Sequence, residues 1–314
     1  MLQIIVQYWK LIGGVYMGWS LGTNDAANVF GTGVSARVVK FRTAVILISI
    51  FVMLGAILEG PKCMSIMKDI SKLNINAALV ASVAAATTIT IMTVLGIPSS
   101  TSQAIMGAII GGGLALGQNP NWGKLGTVVV CWIFTPIGAA FISFLLYHIF
   151  DWILKKYFKG DAAFNFFIKW GLILSGCYGS YTLGANNVAN TTGVYYSAGL
   201  VSAENAALVG GLSIALGVIT YSYKVMDTVG NKITQMGPLG AFIVVLANAL
   251  TIHVYTQIGV PVSSSQAVVG AVIGIGLVRG IKSISFKVIG EIAIGWITTP
   301  LIAGVTAWLI MLFI

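Results

Sequence analysis

This sequence predicts an all-α, polytopic membrane protein built from two homologous repeats, and three observations lead there. The first is composition: 57% of the 314 residues are hydrophobic and only 8% are charged, with a mean hydropathy of +0.95. A water-soluble domain carries about 25% charged residues, so lipid is the solvent for most of this chain. The second is a polar motif, Gly22-Thr23-Asn24-Asp25-Ala26-Ala27-Asn28, which returns 162 residues later as Gly184-Ala185-Asn186-Asn187-Val188-Ala189-Asn190. The third is that two more matches keep the order. Gly96-Ile97-Pro98-Ser99-Ser100-Thr101-Ser102-Gln103-Ala104 pairs with Gly259-Val260-Pro261-Val262-Ser263-Ser264-Ser265-Gln266-Ala267 at an offset of 163, and Trp132-Ile133-Phe134-Thr135-Pro136 pairs with Trp296-Ile297-Thr298-Thr299-Pro300 at 164. Chance likeness among apolar stretches preserves neither order nor spacing. Residues 1–150 therefore form a first transmembrane repeat, 151–165 a short link and 166–314 a second transmembrane repeat.

A spanning helix needs about 20 apolar residues, which leaves room for about ten spans plus re-entrant hairpins or broken helices and for no separate soluble domain. Residues 4–20 open the chain as a retained first helix, because Lys10 interrupts them and no Ala-x-Ala cleavage site follows. Its counterpart is 166–180. After each Asn-rich motif comes an apolar run, 44–58 or 208–221, then a polar link, then a further span, 77–95 or 240–258. Residues 98–117 and 261–280 are apolar but too rich in Gly for simple spans, and they read as re-entrant hairpins or discontinuous helices. Each half closes on a last span through its Trp-to-Pro match.

The formal net charge is +9, and the cations gather at segment ends: Arg37, Lys40 and Arg42; Lys62, Lys68 and Lys72; Lys155, Lys156 and Lys159; Arg279, Lys282 and Lys287. That placement anchors topology and argues against a nucleic-acid partner. The Arg37 cluster has no counterpart at 200–205, where Glu204 is the charged residue, so equivalent loops lie on opposite faces and the repeats have inverted topology. Lys224 and Lys232, which echo the Lys62 cluster, pull the other way. Trp9, Trp122, Trp152 and Trp170 stand near segment ends as interface anchors. Cys63, Cys131 and Cys177 lack metal-type spacing and read as buried thiols, His148 and His253 stand alone, and Glu291 is an isolated acid in an apolar run. No nucleophile with a positioned base is present, which disfavours an enzyme.

Asp25 is an acid at membrane depth, which costs several kcal/mol unless paired or coordinated, and no basic residue is near it in sequence. A bound cation or a proton is the economical partner. On a helix Asn24 and Asn28 share a face, and Asp25 joins Asn28 at i, i+3. With Thr23, and with Asn186, Asn187 and Asn190 from the second half, these side chains offer oxygens suited to a monovalent cation such as Na⁺. Glu59, whose counterpart is Tyr221, breaks the symmetry and is a further candidate for cation binding or gating.

Pro98 and Pro261 each precede hydroxyls and a Gln, the pattern of a helix start whose backbone N–H groups lack partners. Two such starts can enclose one tetrahedral oxyanion such as phosphate, with donors from Ser100, Thr101, Ser102 and Gln103, from Ser263, Ser264, Ser265 and Gln266, and from Asn24 and Asn186. A carboxylate repels such an anion in low dielectric unless a cation lies between them, so anion binding should require a cation.

The two Asn-rich motifs and the paired Pro-x-Ser-x-Ser-Gln segments resemble the inorganic phosphate transporter family, across essentially the whole chain. The resemblance implies a cation-coupled symporter with an inverted-repeat fold, one central site formed by both motifs and both Ser-rich segments, and a homodimer. Asn187 departs from the family pattern, in which a second Asp is common; one carboxylate fewer reduces the number of bound cations or changes the coupling ratio. The short link implies a prokaryotic plasma (inner) membrane protein. The resulting expectation is a Na⁺-coupled phosphate symporter working by alternating access, with no covalent cofactor. Its rivals are a proton-coupled phosphate or sulfate permease and, in a different class, an anion-selective channel. Na⁺ is preferred over H⁺ because many neutral oxygens surround a single acid, which makes a coordination cage more than a proton relay.

Overall fold

A computed structural model of the chain describes residues 8–70, 73–97, 99–157, 160–223, 226, 237–280 and 285–314. After a 3-10 turn (Trp9–Leu11), the first half runs α1 (Ile12–Asp25), α2 (Ala27–Ser35), α3 (Phe41–Glu59), α4 (Pro61–Ile70), α5 (Ile75–Leu95), α6 (Thr101–Ala115) and α7 (Trp122–Tyr157). The second half runs α8 (Asp161–Asn187), α9 (Ala189–Ser197), α10 (Ala203–Tyr221), α11 (Pro238–Ile258), α12 (Ser264–Arg279) and α13 (Phe286–Met311). The elements recur with their lengths: α2 and α9 have nine residues each, α3 and α10 nineteen, and α5 and α11 twenty-one. Pro98, Lys72, Lys159, Lys224, Lys232, Lys282 and residues 4–7 of the expected first helix lie outside the described residues.

Six of the described helices are long and apolar enough to cross a membrane, against the ten or so expected from length. The difference has a physical cause. α6 and α12, at 15 and 16 residues, are about 22–24 Å long by helical rise, short of the ~30 Å hydrocarbon layer. α1 stops after 14 residues at the polar motif, and α8 is long but polar toward its end. The expected link at 151–165 is mostly helical, since α7 runs to Tyr157 as one 36-residue helix and α8 begins at Asp161.

Many large apolar side chains, such as Leu58, Phe141, Leu174 and Ile297, are exposed, while the interior packs Ala, Val, Ile and Met around buried Asn, Ser, Thr and one Asp. Small residues let backbones approach where lipid removes the hydrophobic drive for helix association. Trp9, Trp122, Trp152 and Trp170 are exposed, as anchors should be. Cys63 and Cys177 are buried and Cys131 is half-buried, all three as free thiols. Glu291 and His148 are exposed.

The halves interlock. α1 packs on α10 and α3 on α8, while α6 lies on α13 and α12 on α7. Two equivalent contacts set the first pair of crossings: a Cβ at Gly22 would strike the Ile214 carbonyl oxygen, and one at Gly184 the Val52 carbonyl oxygen. Each short helix also folds back on its predecessor, α6 on α5 and α12 on α11. The turns are made by Gly96 (φ 72°) and Gly259 (φ 80°), in the left-handed region that penalises a Cβ. These two helical hairpins bring the Ser-rich segments to the centre.

Candidate functional site

Each polar motif falls where a helix is interrupted for one residue. Ala26 separates α1 from α2 and Val188 separates α8 from α9, yet both keep right-handed helical angles (φ −55°, ψ −31° and φ −60°, ψ −28°). The chain keeps its helical course there and is not unwound. Asn24 and Asn28, one turn apart, take different partners.

Asn24 holds its own half together. Its Nδ2 donates to Thr93 Oγ1 (3.0 Å) and the Ile97 carbonyl (3.2 Å), and its Oδ1 accepts from Ser99 N (3.1 Å). Asn186 repeats the arrangement with Thr256 Oγ1 (3.1 Å), the Val260 carbonyl (3.1 Å) and Val262 N (2.8 Å). Both amides thus fix the extended strand of chain that leads into α6 or α12. The helix starts then follow: Ser100 and Ser263 are the N-caps, each Oγ accepting from the N–H of Gln103 (3.3 Å) or Gln266 (3.2 Å).

Asn28 and Asn190 reach across instead. Asn28 Nδ2 donates to Ser264 Oγ (3.0 Å) and Asn190 Nδ2 to Ser102 Oγ (2.8 Å), so each Asn-rich motif touches the other half's hairpin. Ser102 Oγ also reaches the Val262 carbonyl (2.8 Å), and Ser263 and Ser265 share a hydrogen bond of 2.9 Å. Asp25 Oδ2 accepts from Thr101 Oγ1 (2.8 Å) and Oδ1 from Asn28 Nδ2 (3.4 Å), the expected i, i+3 pair; Asn190 and Asn187 repeat that pair at 2.8 Å. Thr23 turns back to the Ser20 carbonyl (2.7 Å) on its own helix. The site side chains are all at most 5% exposed.

Among the described residues Asp25 has no basic partner, and no group of three or more His, Cys, Asp or Glu gathers to hold a metal ion. The Oδ1 atoms of Asn28 and Asn190 and the Oε1 atoms of Gln103 and Gln266 are buried without a hydrogen-bond partner. An unsatisfied buried polar atom costs about 1–3 kcal/mol, so four of them on the two Asn-rich motifs and the two Ser-rich segments leave acceptors available to a ligand.

Glu59 stands apart from this cluster. Its Oε2 meets Lys62 Nζ (3.3 Å), His253 Nε2 (3.2 Å) and Gln257 Nε2 (2.8 Å), so its charge is already matched. His253, expected to stand alone, is also joined to Tyr178 OH at 2.6 Å. One core residue escaped the sequence reading: Asn248, a buried amide inside the apolar run of α11, donates to the Asn28 carbonyl at 3.2 Å. An Asn amid 21 largely apolar residues was the available signal.

Residues 21–307 match the phosphate transporter family. The chain belongs to that family. It is therefore a phosphate transporter, a multi-pass membrane protein and not an enzyme. Among its relatives are the "Putative phosphate permease" proteins of Pyrococcus furiosus, 29% identical over 95% of this chain and 93% of that one, and of Methanocaldococcus jannaschii, 29% identical over 96% and 95%. A solved structure described as "The sodium-dependent phosphate transporter" superposes with a TM-score of 0.85 at 26% identity, covering 99% of this chain and 98% of that one. The superposition spans both hairpins and both interrupted helices, since it leaves almost nothing of either chain out.

Proposed function

We propose that this phosphate transporter is a Na⁺-coupled symporter that carries inorganic phosphate by alternating access, through a single central site made by the two Asn-rich motifs and the two Ser-rich hairpins. The observation that carries the reading is Asp25: a buried carboxylate with no basic partner among the described residues, hydrogen-bonded to Thr101 at the start of a helix whose N-terminus would receive the anion. Two like charges 4 Å apart repel by about 4 kcal/mol at an effective dielectric of 20. An anion beside Asp25 is therefore disfavoured until a cation sits between them, and that dependence is coupling. The sodium dependence stated for the superposed structure supports the choice of Na⁺.

Phosphate takes its donors from the hydroxyls of Ser100, Thr101, Ser102, Ser263, Ser264 and Ser265, from the N–H groups at both helix starts, and from the Nε2 groups of Gln103 and Gln266. Gln103→Ala and Gln266→Ala are each expected to raise the phosphate KM about tenfold, the effect of one lost hydrogen bond to a charged ligand at ~1.5 kcal/mol. Unchanged KM in both variants would remove the paired glutamines from the site. Inverted topology of the repeats, a homodimer and a prokaryotic plasma membrane complete the proposal; the archaeal relatives support the last.

The direct test is radiolabelled phosphate uptake into proteoliposomes, with inward gradients of Na⁺, K⁺ or H⁺ imposed one at a time. Saturable uptake under the Na⁺ gradient alone is expected. Uptake driven by H⁺ would replace the coupling ion, and flux indifferent to every gradient would make the protein a channel.

A further inference from the structure

The Trp-to-Pro match that closes each half lies behind the Ser-rich helices. Trp132 and Pro136 are on α7, Trp296 and Pro300 on α13, and these are the helices against which α12 and α6 are seated. Proline carries no N–H, so the carbonyl four residues back, that of Trp132 or Trp296, loses its helical donor. A side chain takes the carbonyl just before it in both copies: Thr135 Oγ1 donates to Cys131 and Thr299 Oγ1 to Gly295, each at 2.6 Å. The residue released from the helical ladder is thus the one that bears the indole.

Close contacts fix how each pair of helices is aligned. A Cβ on Gly270 would strike the Pro136 carbonyl oxygen, and one on Gly274 the Ala140 carbonyl oxygen. In the other copy Gly107 meets the Pro300 carbonyl and Gly111 the Gly304 carbonyl in the same way. Both partners advance by four residues from one contact to the next, so α12 runs parallel to α7, and α6 to α13, with their i, i+4 rows side by side. One turn earlier on those rows stand Gln266 with Trp132, and Gln103 with Trp296. Side chains on parallel helices lean the same way, toward the N-terminus, so each Gln stays level with its Trp.

The residues that the register sets side by side are chemical complements. Nε1 of Trp132 and of Trp296, and Oε1 of Gln103 and of Gln266, are all buried without a hydrogen-bond partner among the described residues. An indole N–H only donates and an amide oxygen only accepts. We propose that Trp132 and Trp296 are positioning residues for phosphate: on loading, each indole N–H donates to Oε1 of the glutamine level with it, Gln266 or Gln103, and holds that amide with Nε2 toward the anion. An amide without this donor is free to turn its oxygen to the anion, which repels it; the indole removes that choice. The inference rests on the reading that Gln103 and Gln266 donate to phosphate, and adds two residues to it.

Phosphate KM in proteoliposomes separates an orienting bond from bulk packing. Trp132→Phe and Trp296→Phe should each raise KM about fivefold at unchanged maximal rate, the effect of one lost hydrogen bond. Each effect should vanish when the partner is already gone, Trp132→Phe adding nothing to Gln266→Ala, and persist otherwise, adding its full factor to Gln103→Ala. Adding phosphate in Na⁺ to the wild-type protein should shift the ultraviolet resonance Raman band of the indole N–H toward hydrogen bonding for two of the eight tryptophans. Unchanged KM in both Trp variants, or the same rise with and without the partner glutamine, overturns the proposal while Gln103 and Gln266 keep their place at the phosphate. A wild-type Raman band that phosphate leaves unmoved overturns it without any variant. If neither Gln103→Ala nor Gln266→Ala changes KM, the reading of the glutamines falls and the proposal with it.

Discussion

Asp25→Asn is expected to abolish cation-driven phosphate uptake while the protein still inserts and folds. The substitution keeps the shape of the side chain and its ability to accept from Thr101, so the junction between α1 and α2 survives. What disappears is the charge. At about 4 kcal/mol for a pair of unit charges 4 Å apart in an effective dielectric of 20, its loss weakens the cation by about a thousandfold. Raising Na⁺ to compensate is impractical at that factor, so uptake should fall to the level of empty liposomes at any attainable gradient. Uptake at the wild-type rate would take Asp25 out of the mechanism.

The largest effect on stability is expected at Gly184. Its missing side chain lets α8 lie directly on α3, with the Val52 carbonyl oxygen where a Cβ would go. The obstacle is backbone, so no flexible tip can yield and the two helices must part. Overpacking a close contact costs about 1–3 kcal/mol or more, and a β-branched residue adds to it. Gly184→Val should therefore fail to accumulate as a monodisperse, folded protein in detergent, with Gly184→Ala melting well below wild type. A Gly184→Val protein that melts with the wild type would mean that the α3–α8 crossing is looser than the contact indicates. Gly22→Val, at the equivalent crossing of α1 on α10, should behave alike.

Much of the core was legible in the sequence because polar residues are scarce in an apolar chain, and those that remain stand out in pairs. Asp25, Asn28, Asn187, Asn190 and the two Ser-Gln segments were found this way, and they do meet at the centre. The pairings themselves were hidden. Helical periodicity assigns a residue to a face but cannot say which helix lies against it, so the reach of Asn28 to Ser264 and of Asn190 to Ser102 could not be read. Glu59 was drawn toward the cation site because a lone acid in an apolar run invites that reading; its partners His253 and Gln257 lie almost two hundred positions further along the chain. The expected ten or so spans came from chain length alone, whereas six of the described helices are long and apolar enough to cross a membrane, because length was divided as if every apolar stretch were a full span.

The seating of α1 on α10 and of α3 on α8 bears on how such a chain came to be. Neither repeat completes its own packing, because the surface each one needs is supplied by the other. A gene encoding only one repeat would have yielded an orphan, stable only when two copies threaded together, and fusion turned a chance encounter between copies into a permanent neighbour. Once the copies were joined they no longer had to be identical, and they now differ where Asp25 faces its counterpart Asn187.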